Sequence, residues 1–294
     1  MKLYAFRGEF PNFGDELNRL LIPKVLPGLL DENEDQILLA IGSVLFNDFP
    51  RRARKVVFGS GYGRYTPPPD LDPTWDVHCV RGPLTAQALG LPPECVAADT
   101  AILANRHLRQ PTGKRYRAGY IPHWESLMRA DWAKVCGMAN VTFIDPRWPV
   151  ERVLDMIQAC EMVIAEAMHG AIVADALRTP WLAVLPFHRR HHFKWQDWAL
   201  ALDLNLVQHR LPPASAEEAR IWLRPGGKGA SLIAAATRLA APAIDPRLED
   251  RAARSLERLS RQDPVLSSDA SLERALEKLE TSAGRILKTY GRAG

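Results

Sequence analysis

The sequence has few of the features that mark secreted, membrane-spanning or metal-dependent proteins. Among 294 residues there are only 4 cysteines, and Cys79, Cys95, Cys136 and Cys160 lie in mostly apolar surroundings without metal-ligand spacing. We therefore expect reduced thiols in a core rather than disulfides, which favours the cytoplasm. The first residues lack the apolar stretch of a signal peptide, and no run approaches the roughly 18 apolar residues of a membrane span.

Strong charge is also absent. The formal net charge is +4 and the pI is about 8.9, and no basic patch is interleaved with aromatic residues. Nucleic acid is therefore not expected as a partner, whereas an anionic substrate or a membrane surface is compatible with this balance. With 47% hydrophobic residues, the chain can bury one large core or two moderate ones.

Short apolar runs alternate with helical patterns in the first part of the chain. Helical periodicity at Glu16–Leu26 and Leu84–Leu89 separates some of the apolar runs, which favours a mainly parallel sheet. A polar stretch, Asn105–Arg115, then resembles a linker. The predicted strands are Lys2–Phe6, Gln36–Ile41, Lys55–Phe58, Val77–Val80 and Val96–Ala98.

A second series of the same kind follows the linker. Its predicted strands are Arg117–Ile121, Val141–Ile144, Met162–Ala165 and Trp181–Leu185, and its predicted helices lie near Glu125–Cys136, Val150–Ala159 and Gly170–Leu177. The pattern predicts an α/β fold with two Rossmann-like domains, residues 1–110 and 115–210, that face a cleft.

From Pro212 onward the sequence is rich in Ala, Glu and Arg, and no strand is visible. Residues 211–294 are therefore predicted to form a helical C-terminal extension. One of its helices has a single buried stripe, because apolar residues recur at helical spacing among charged ones. The stripe consists of Leu272, Leu276, Leu279 and Ile286.

His169 lies where the predicted strand Met162–Ala165 gives way to a helix. Ligands bind beyond the carboxyl ends of parallel strands, and a helix N-terminus there offers free N–H groups to an anion. An imidazole beside such a helix end suits acid/base chemistry on a phosphorylated or carboxylated substrate. The alternative is a helix-capping or half-buried histidine.

A similar junction follows the first predicted strand. Here Asn12, Gly14 and Asp15 open the first helix. Asp15 could act as a general base or hold a sugar hydroxyl, and Gly14 would let the backbone approach a ligand. Equally, Asp15 could be the N-cap of its helix.

Three further junctions lie in the first half. The glycines of Gly59–Gly63 lack the spacing of a dinucleotide fingerprint, so Gly61 is interpreted as part of a turn that borders the cleft and touches substrate. Arg81 could grip a carboxylate or phosphate, or it could be a surface arginine that covers a strand end. Asp99 is expected to line the wall of the cleft.

In the second half, His123 ends a strand, and a dense basic segment, His188–Trp195, follows the last predicted strand. No carboxylate or cysteine completes a ligand pattern with these histidines, and the interleaved arginines would repel a cation. We therefore predict no metal and instead an anion site, in which Lys194 or Arg189 neutralises phosphate. A solvated basic loop is the alternative.

These blocks together resemble the polysaccharide pyruvyl transferase family, in particular its bacterial exopolysaccharide ketal-pyruvate transferases, over roughly residues 1–210. The resemblance rests on the order of several short motifs. They are Asn12-Phe13-Gly14-Asp15, Ile41-Gly42-Ser43, Gly59-Ser60-Gly61, Val80-Arg81-Gly82-Pro83, Asp99-Thr100 and the stretch from Met168-His169-Gly170 to Pro180. One departure is that many members have Arg where this chain has Ala167, so a donor-binding arginine is missing, and Arg81, Arg178, Arg189 or Lys194 could replace it.

The resemblance implies a fold like that of the two-Rossmann (GT-B) glycosyltransferases and transfer of enolpyruvyl carbons from phosphoenolpyruvate to a sugar. His169 would be acid and base, Gly170 would contact substrate, and no metal or organic cofactor is implied. A lipid-linked oligosaccharide acceptor would bring a cytoplasmic protein to the inner membrane surface without crossing it. Two alternatives are a nucleotide-sugar glycosyltransferase of the same fold and a non-catalytic binding protein.

Overall fold

The computed structural model describes residues 1–110, 112–186, 191–223 and 230–291. It shows the predicted α/β class, with two separate parallel sheets. The first sheet has four strands in the order β1-β2-β3-β4, and each adjacent pair is parallel. These strands are β1 (Lys2–Tyr4), β2 (Gln36–Leu39), β3 (Arg54–Phe58) and β4 (Trp75–Cys79).

The second sheet has five strands in the order β6-β5-β7-β8-β9, and all its pairings are parallel as well. Its central strands are almost fully buried, as expected when helices cover both faces of a parallel sheet. The strands are β5 (Tyr116–Ile121), β6 (Thr142–Phe143), β7 (Cys160–Ala165), β8 (Trp181–Val184) and β9 (Gln208–His209).

Helices connect and cover the strands. Those of the two sheet regions are α1 (Phe13–Val25), α2 (Pro83–Ala88), α3 (Ala104–His107), α4 (Trp124–Leu127), α5 (Trp132–Met138), α6 (Val150–Ala159), α7 (Met168–Ala176) and α8 (His192–Ala201). Those that follow are α9 (Ala216–Leu223), α10 (Ala230–Leu259) and α11 (Asp269–Tyr290). Two 3₁₀ turns, Pro93–Cys95 and Thr100–Leu103, lie on either side of residues 96–99.

Two local predictions are wrong. Val96–Ala98 is not a strand: only Val96 pairs with Val80, because a 3₁₀ turn lies on each side of this short segment. The helix predicted near Glu125–Cys136 is two helices, α4 and α5, since Asp131 caps the second by accepting the N–H of Lys134 at 3.0 Å.

The helices of the two sheets pack against each other. α1 packs against both α6 and α7, and one hydrophobic cluster extends from Phe58 in β3 to Val163 in β7. Because the carboxyl ends of parallel strands lie at one edge of each sheet, this packing brings the junction after β1 beside the junction after β7. The resemblance to GT-B enzymes and the domain boundaries stay predictions.

The C-terminal region divides between the two sheets. α10 packs against α9 and α5, whereas α11 returns to β3 and β4. The predicted apolar stripe of α11 is confirmed, since its four residues are buried. Val265 forms an isolated antiparallel bridge with Trp181, which the sequence did not indicate. Among the described residues, no helix is long and apolar enough to cross a membrane, and all four cysteines are free thiols.

Candidate active site

His169 lies at the predicted junction between β7 and α7, as the second residue of the helix. The N-cap position is occupied by Ala167, so His169 is not a helix cap. Its side chain is 13% exposed and lies against Gly14 at the start of α1. A Cβ atom at position 14 would lie 2.5 Å from His169 Cγ and 2.9 Å from His169 Cβ. The imidazole therefore occupies space that only glycine leaves open.

Asp15 lies beside this imidazole, in the first turn of α1. The helix begins at Phe13 with Asn12 at its N-cap position, so the interpretation of Asp15 as the cap is wrong. Asn12 Nδ2 donates to Asp15 Oδ2 at 2.7 Å. Burial raises the pKa of Asp15, while the hydrogen bond from Asn12 and the charges of His169 and Lys194 oppose this shift.

Lys194, in the first turn of α8, brings a positive charge to the same place. That charge lowers the pKa of His123 and counteracts the rise in the pKa of Asp15, so the ammonium group acts on both sides of the site. The structure thus brings Asp15, His169 and Lys194 together, although they are distant in the sequence. Arg189 lies outside the described residues.

Asp99 approaches His169 from the other side. Its side chain is fully buried, and Oδ2 lies 3.6 Å from His169 Nε2. Its other oxygen, Oδ1, accepts the N–H of Ala101 at 3.0 Å and so caps the 3₁₀ turn Thr100–Leu103. The expected wall of the cleft therefore places a carboxylate opposite the histidine.

Arg81 is fully buried, so its alternative interpretation as a surface arginine is wrong. Its Nε donates to Asp197 Oδ2 at 3.0 Å, and its Nη1 donates to Ser43 Oγ at 2.8 Å. Asp197 also accepts the backbone N–H and the hydroxyl of Thr85. This buried ion pair joins the start of α2 to α8, the helix that carries Lys194. Substrate binding by Arg81 stays a prediction.

A histidine cluster adjoins the site on the side of the second sheet. The rings of His123 and His191 lie 4.6 Å apart between centroids, and His191 Nε2 is 3.7 Å from Glu125 Oε2. Tyr65 Oη lies 2.9 Å from His191 Nδ1. We call His123, Glu125 and His191 the histidine cluster; its potential ligand atoms lie within 4.8 Å of one another.

The histidine cluster corrects one step of the sequence reasoning, because Glu125 does supply a carboxylate to these histidines. A cation is still opposed by the charges that face the cluster. Arg129 Nη2 contacts Glu125 Oε2 at 3.2 Å, and Lys194 acts on His123, whose pKa lies well below its usual value mainly because the ring is buried. A neutral imidazole is also the form that binds a metal ion, so an anion site without a metal stays a prediction here.

The remaining predicted residues have packing roles in the structure. Gly61 leaves room for the guanidinium of Arg81, and Gly170 lets α7 approach Ile121 in β5. Their contact with substrate stays a prediction. Arg178 is a wrong candidate for the missing arginine, because it follows the end of α7 opposite His169 and its Nη2 donates to the carbonyl of Ser267 at 2.8 Å.

Comparison with known proteins identifies the family of this chain. The sequence profile of the family described as Polysaccharide pyruvyl transferase matches residues 3–186, which include Asp15, Asp99 and His169. The chain is also 35% identical to the succinoglycan biosynthesis protein ExoV of Rhizobium meliloti (strain 1021), over 99% of this chain and 100% of the relative. The chain therefore belongs to the polysaccharide pyruvyl transferase family.

Proposed function

We propose that this protein transfers the enolpyruvyl carbons of phosphoenolpyruvate to a sugar of an exopolysaccharide repeat unit, closes a pyruvate ketal and releases phosphate. The observation that carries the proposal is the position of His169 at the start of α7 and against Gly14, where its charge and that of Lys194 both act on Asp15. His169 supplies an acid/base group, Asp15 a carboxylate and Lys194 a cation, and the end of a helix there favours an anion. Participation in the synthesis of succinoglycan by the relative supports an exopolysaccharide acceptor.

In this proposal, His169 protonates the methylene carbon of phosphoenolpyruvate, which leaves an oxocarbenium-like centre at the carbon that bears the phosphate. A sugar hydroxyl attacks this centre and loses its proton to the base. A second hydroxyl then attacks the same carbon as the C–O bond to phosphate breaks, and its proton leaves with the phosphate. Asp15 orients the acceptor or takes up its proton.

The donor carries a carboxylate and a phosphate, and the charges of the site are arranged to receive them. Lys194 provides a cation between Asp15 and the histidine cluster, and the start of α7 adds partial positive charge. Fixed charge of this kind usually supplies the largest share of transition-state stabilisation. Arg189 is proposed to assist Lys194. No metal or organic cofactor takes part in the proposed reaction.

A lipid-linked acceptor would bring the protein to the inner, cytoplasmic face of the membrane. Among the described residues, the packed pair α9 and α10 exposes four large apolar side chains, with exposed fractions of 49% for Trp222, 78% for Leu223, 87% for Leu239 and 42% for Ile244. Exposed side chains of this size occur on surfaces that meet a membrane or a partner. We assign these side chains to contact with lipid, in agreement with the basic net charge of the chain.

The test is phosphate release from phosphoenolpyruvate by the purified protein, with and without a panel of lipid-linked and synthetic oligosaccharides. We expect release that depends on acceptor and a sugar product that has gained one pyruvate ketal by mass spectrometry. His169→Ala should abolish both, whereas His107→Ala, at an exposed position at the end of α3, should change neither. Sugar transfer from a nucleotide-sugar donor without consumption of phosphoenolpyruvate would instead support the glycosyltransferase alternative.

A further inference from the structure

Two buried polar atoms face each other at the candidate site. Asp99 Oδ2 and His169 Nε2 lie 3.6 Å apart, and within the described parts of the chain neither has a hydrogen-bond partner. A buried carboxylate oxygen without a donor is costly, and so is a buried ring nitrogen without a partner. A small rotation of the imidazole would bring the pair within hydrogen-bond distance and satisfy both atoms.

We propose that Asp99 is a positioning residue for His169. Its carboxylate accepts a hydrogen bond from His169 Nε2–H and so keeps the proton of the neutral ring on Nε2. Nδ1 is then the nitrogen that exchanges protons with substrate. Nδ1 lies beside Gly14, one residue before Asp15. The carboxylate also provides a fixed negative charge next to the imidazolium that forms when Nδ1 takes up a proton. The inference about Nδ1 chemistry rests on the proposed function; the pairing itself does not.

The other surroundings of Asp99 hold it in place for this task. Oδ1 is used by the N–H of Ala101, so the direction of Oδ2 is fixed by the cap of the 3₁₀ turn. The next residue, Thr100, donates its hydroxyl to the carbonyl of Phe58 at the end of β3. The 3₁₀ turn also packs against α7. The carboxylate is therefore anchored to the first sheet, while the histidine belongs to a helix of the second.

The substitution Asp99→Asn removes the negative charge of the side chain but keeps the oxygen that caps the 3₁₀ turn. The amide oxygen can still accept the N–H of Ala101, so the cap is kept and the NH₂ group then faces His169 Nε2. A donor at that position requires Nε2 to be an acceptor, which moves the ring proton to Nδ1. We therefore expect the variant to hold His169 in the opposite tautomer. In hydrolases whose histidine is oriented by an aspartate, the same change lowers kcat by about 10⁴.

The primary measurement is the tautomer of His169 from long-range ¹H–¹⁵N spectra of ¹⁵N-histidine-labelled protein, under alkaline conditions where the neutral ring is observed. The signal is assigned by its loss in His169→Gln. We expect Nε2–H in the wild-type protein and Nδ1–H in Asp99→Asn. In parallel, kcat for acceptor-dependent phosphate release should fall by about 10²-fold or more, with KM for phosphoenolpyruvate changed only a few-fold.

Asp131→Asn is the matched control, because Asp131 is also a capping aspartate, on α5, and accepts the N–H of Lys134. It should change neither the tautomer nor kcat. An Nδ1–H tautomer in the wild-type protein would overturn the pairing, and this result does not depend on whether a variant folds. An unchanged tautomer in folded Asp99→Asn would also overturn it. A switched tautomer with unchanged kcat would support the pairing and count against acid/base catalysis by His169.

Discussion

The contact between Gly14 and His169 yields a prediction that can be worked out from distances. In Gly14→Ala, the new Cβ would lie 2.5 Å from His169 Cγ and 2.9 Å from His169 Cβ. Nonbonded carbon atoms prefer separations of about 3.5 Å, so the ring has to move by about 1 Å. The backbone gives way little here, because Gly14 is buried within α1.

A displacement of about 1 Å at a reacting group lowers turnover by about 10²-fold. We expect this loss in kcat for acceptor-dependent phosphate release from Gly14→Ala. The steric conflict should also cancel the gain of about 1 kcal/mol that alanine brings over glycine inside a helix. Urea denaturation should therefore show a free energy of unfolding that is equal to that of the wild type or lower.

Gly137→Ala is the matched control. Gly137 lies in α5, and a Cβ atom there would meet nothing within 4 Å. This variant should keep full activity and gain up to about 1 kcal/mol in the free energy of unfolding. If Gly14→Ala kept wild-type kcat, the reasoning that the imidazole must stay against Gly14 would be refuted.

Three further predictions concern stability and surface contacts. Asp197→Ala leaves the buried guanidinium of Arg81 without its carboxylate and should lower the free energy of unfolding by about 3–5 kcal/mol in denaturant titrations; a loss below about 1 kcal/mol would contradict a buried pair. Burial raises the pKa of Glu166 from 4.5 to about 8, so its contribution to stability is complete below pH 4.5 and is lost progressively as the pH rises from there to about 8. Glu166→Gln should flatten this part of the curve of unfolding free energy against pH. Replacing Trp222 and Leu223 by serine should reduce cosedimentation of the protein with anionic lipid vesicles, while the protein stays soluble in the absence of vesicles. Unchanged binding to the vesicles would place the lipid contact elsewhere.

The sequence predicted the features that depend on short-range pattern. Apolar runs and helical periodicity predicted both parallel sheets, and the junction rule placed Asp15 and His169 at strand ends that the structure brings together. Parallel topology makes this possible, since strand ends collect at one edge of a sheet. The prediction of the helix Val150–Ala159 matches its observed bounds.

Pairings between distant residues could not be predicted in this way. Arg81 meets Asp197 across 116 positions, and the partner decides that the arginine is buried rather than exposed. Glu125 joins His191 for the same reason, because α4 approaches the residue that precedes α8. The local pattern also did not show that Asp99 faces His169, because this depends on how a 3₁₀ turn packs against a helix of the other sheet.

The return of α11 to the first sheet has a consequence for biosynthesis. The hydroxyl of Tyr290 donates to Asp76, a separation of 214 residues, and Arg106 pairs with Glu273 and Glu280 on the same helix. The first sheet is made early in translation, yet the helix that covers it is made only after the whole second sheet. The nascent chain must therefore hold an uncovered apolar face until α11 has been made, which makes early chaperone contact and slow, non-local completion of folding the expected route.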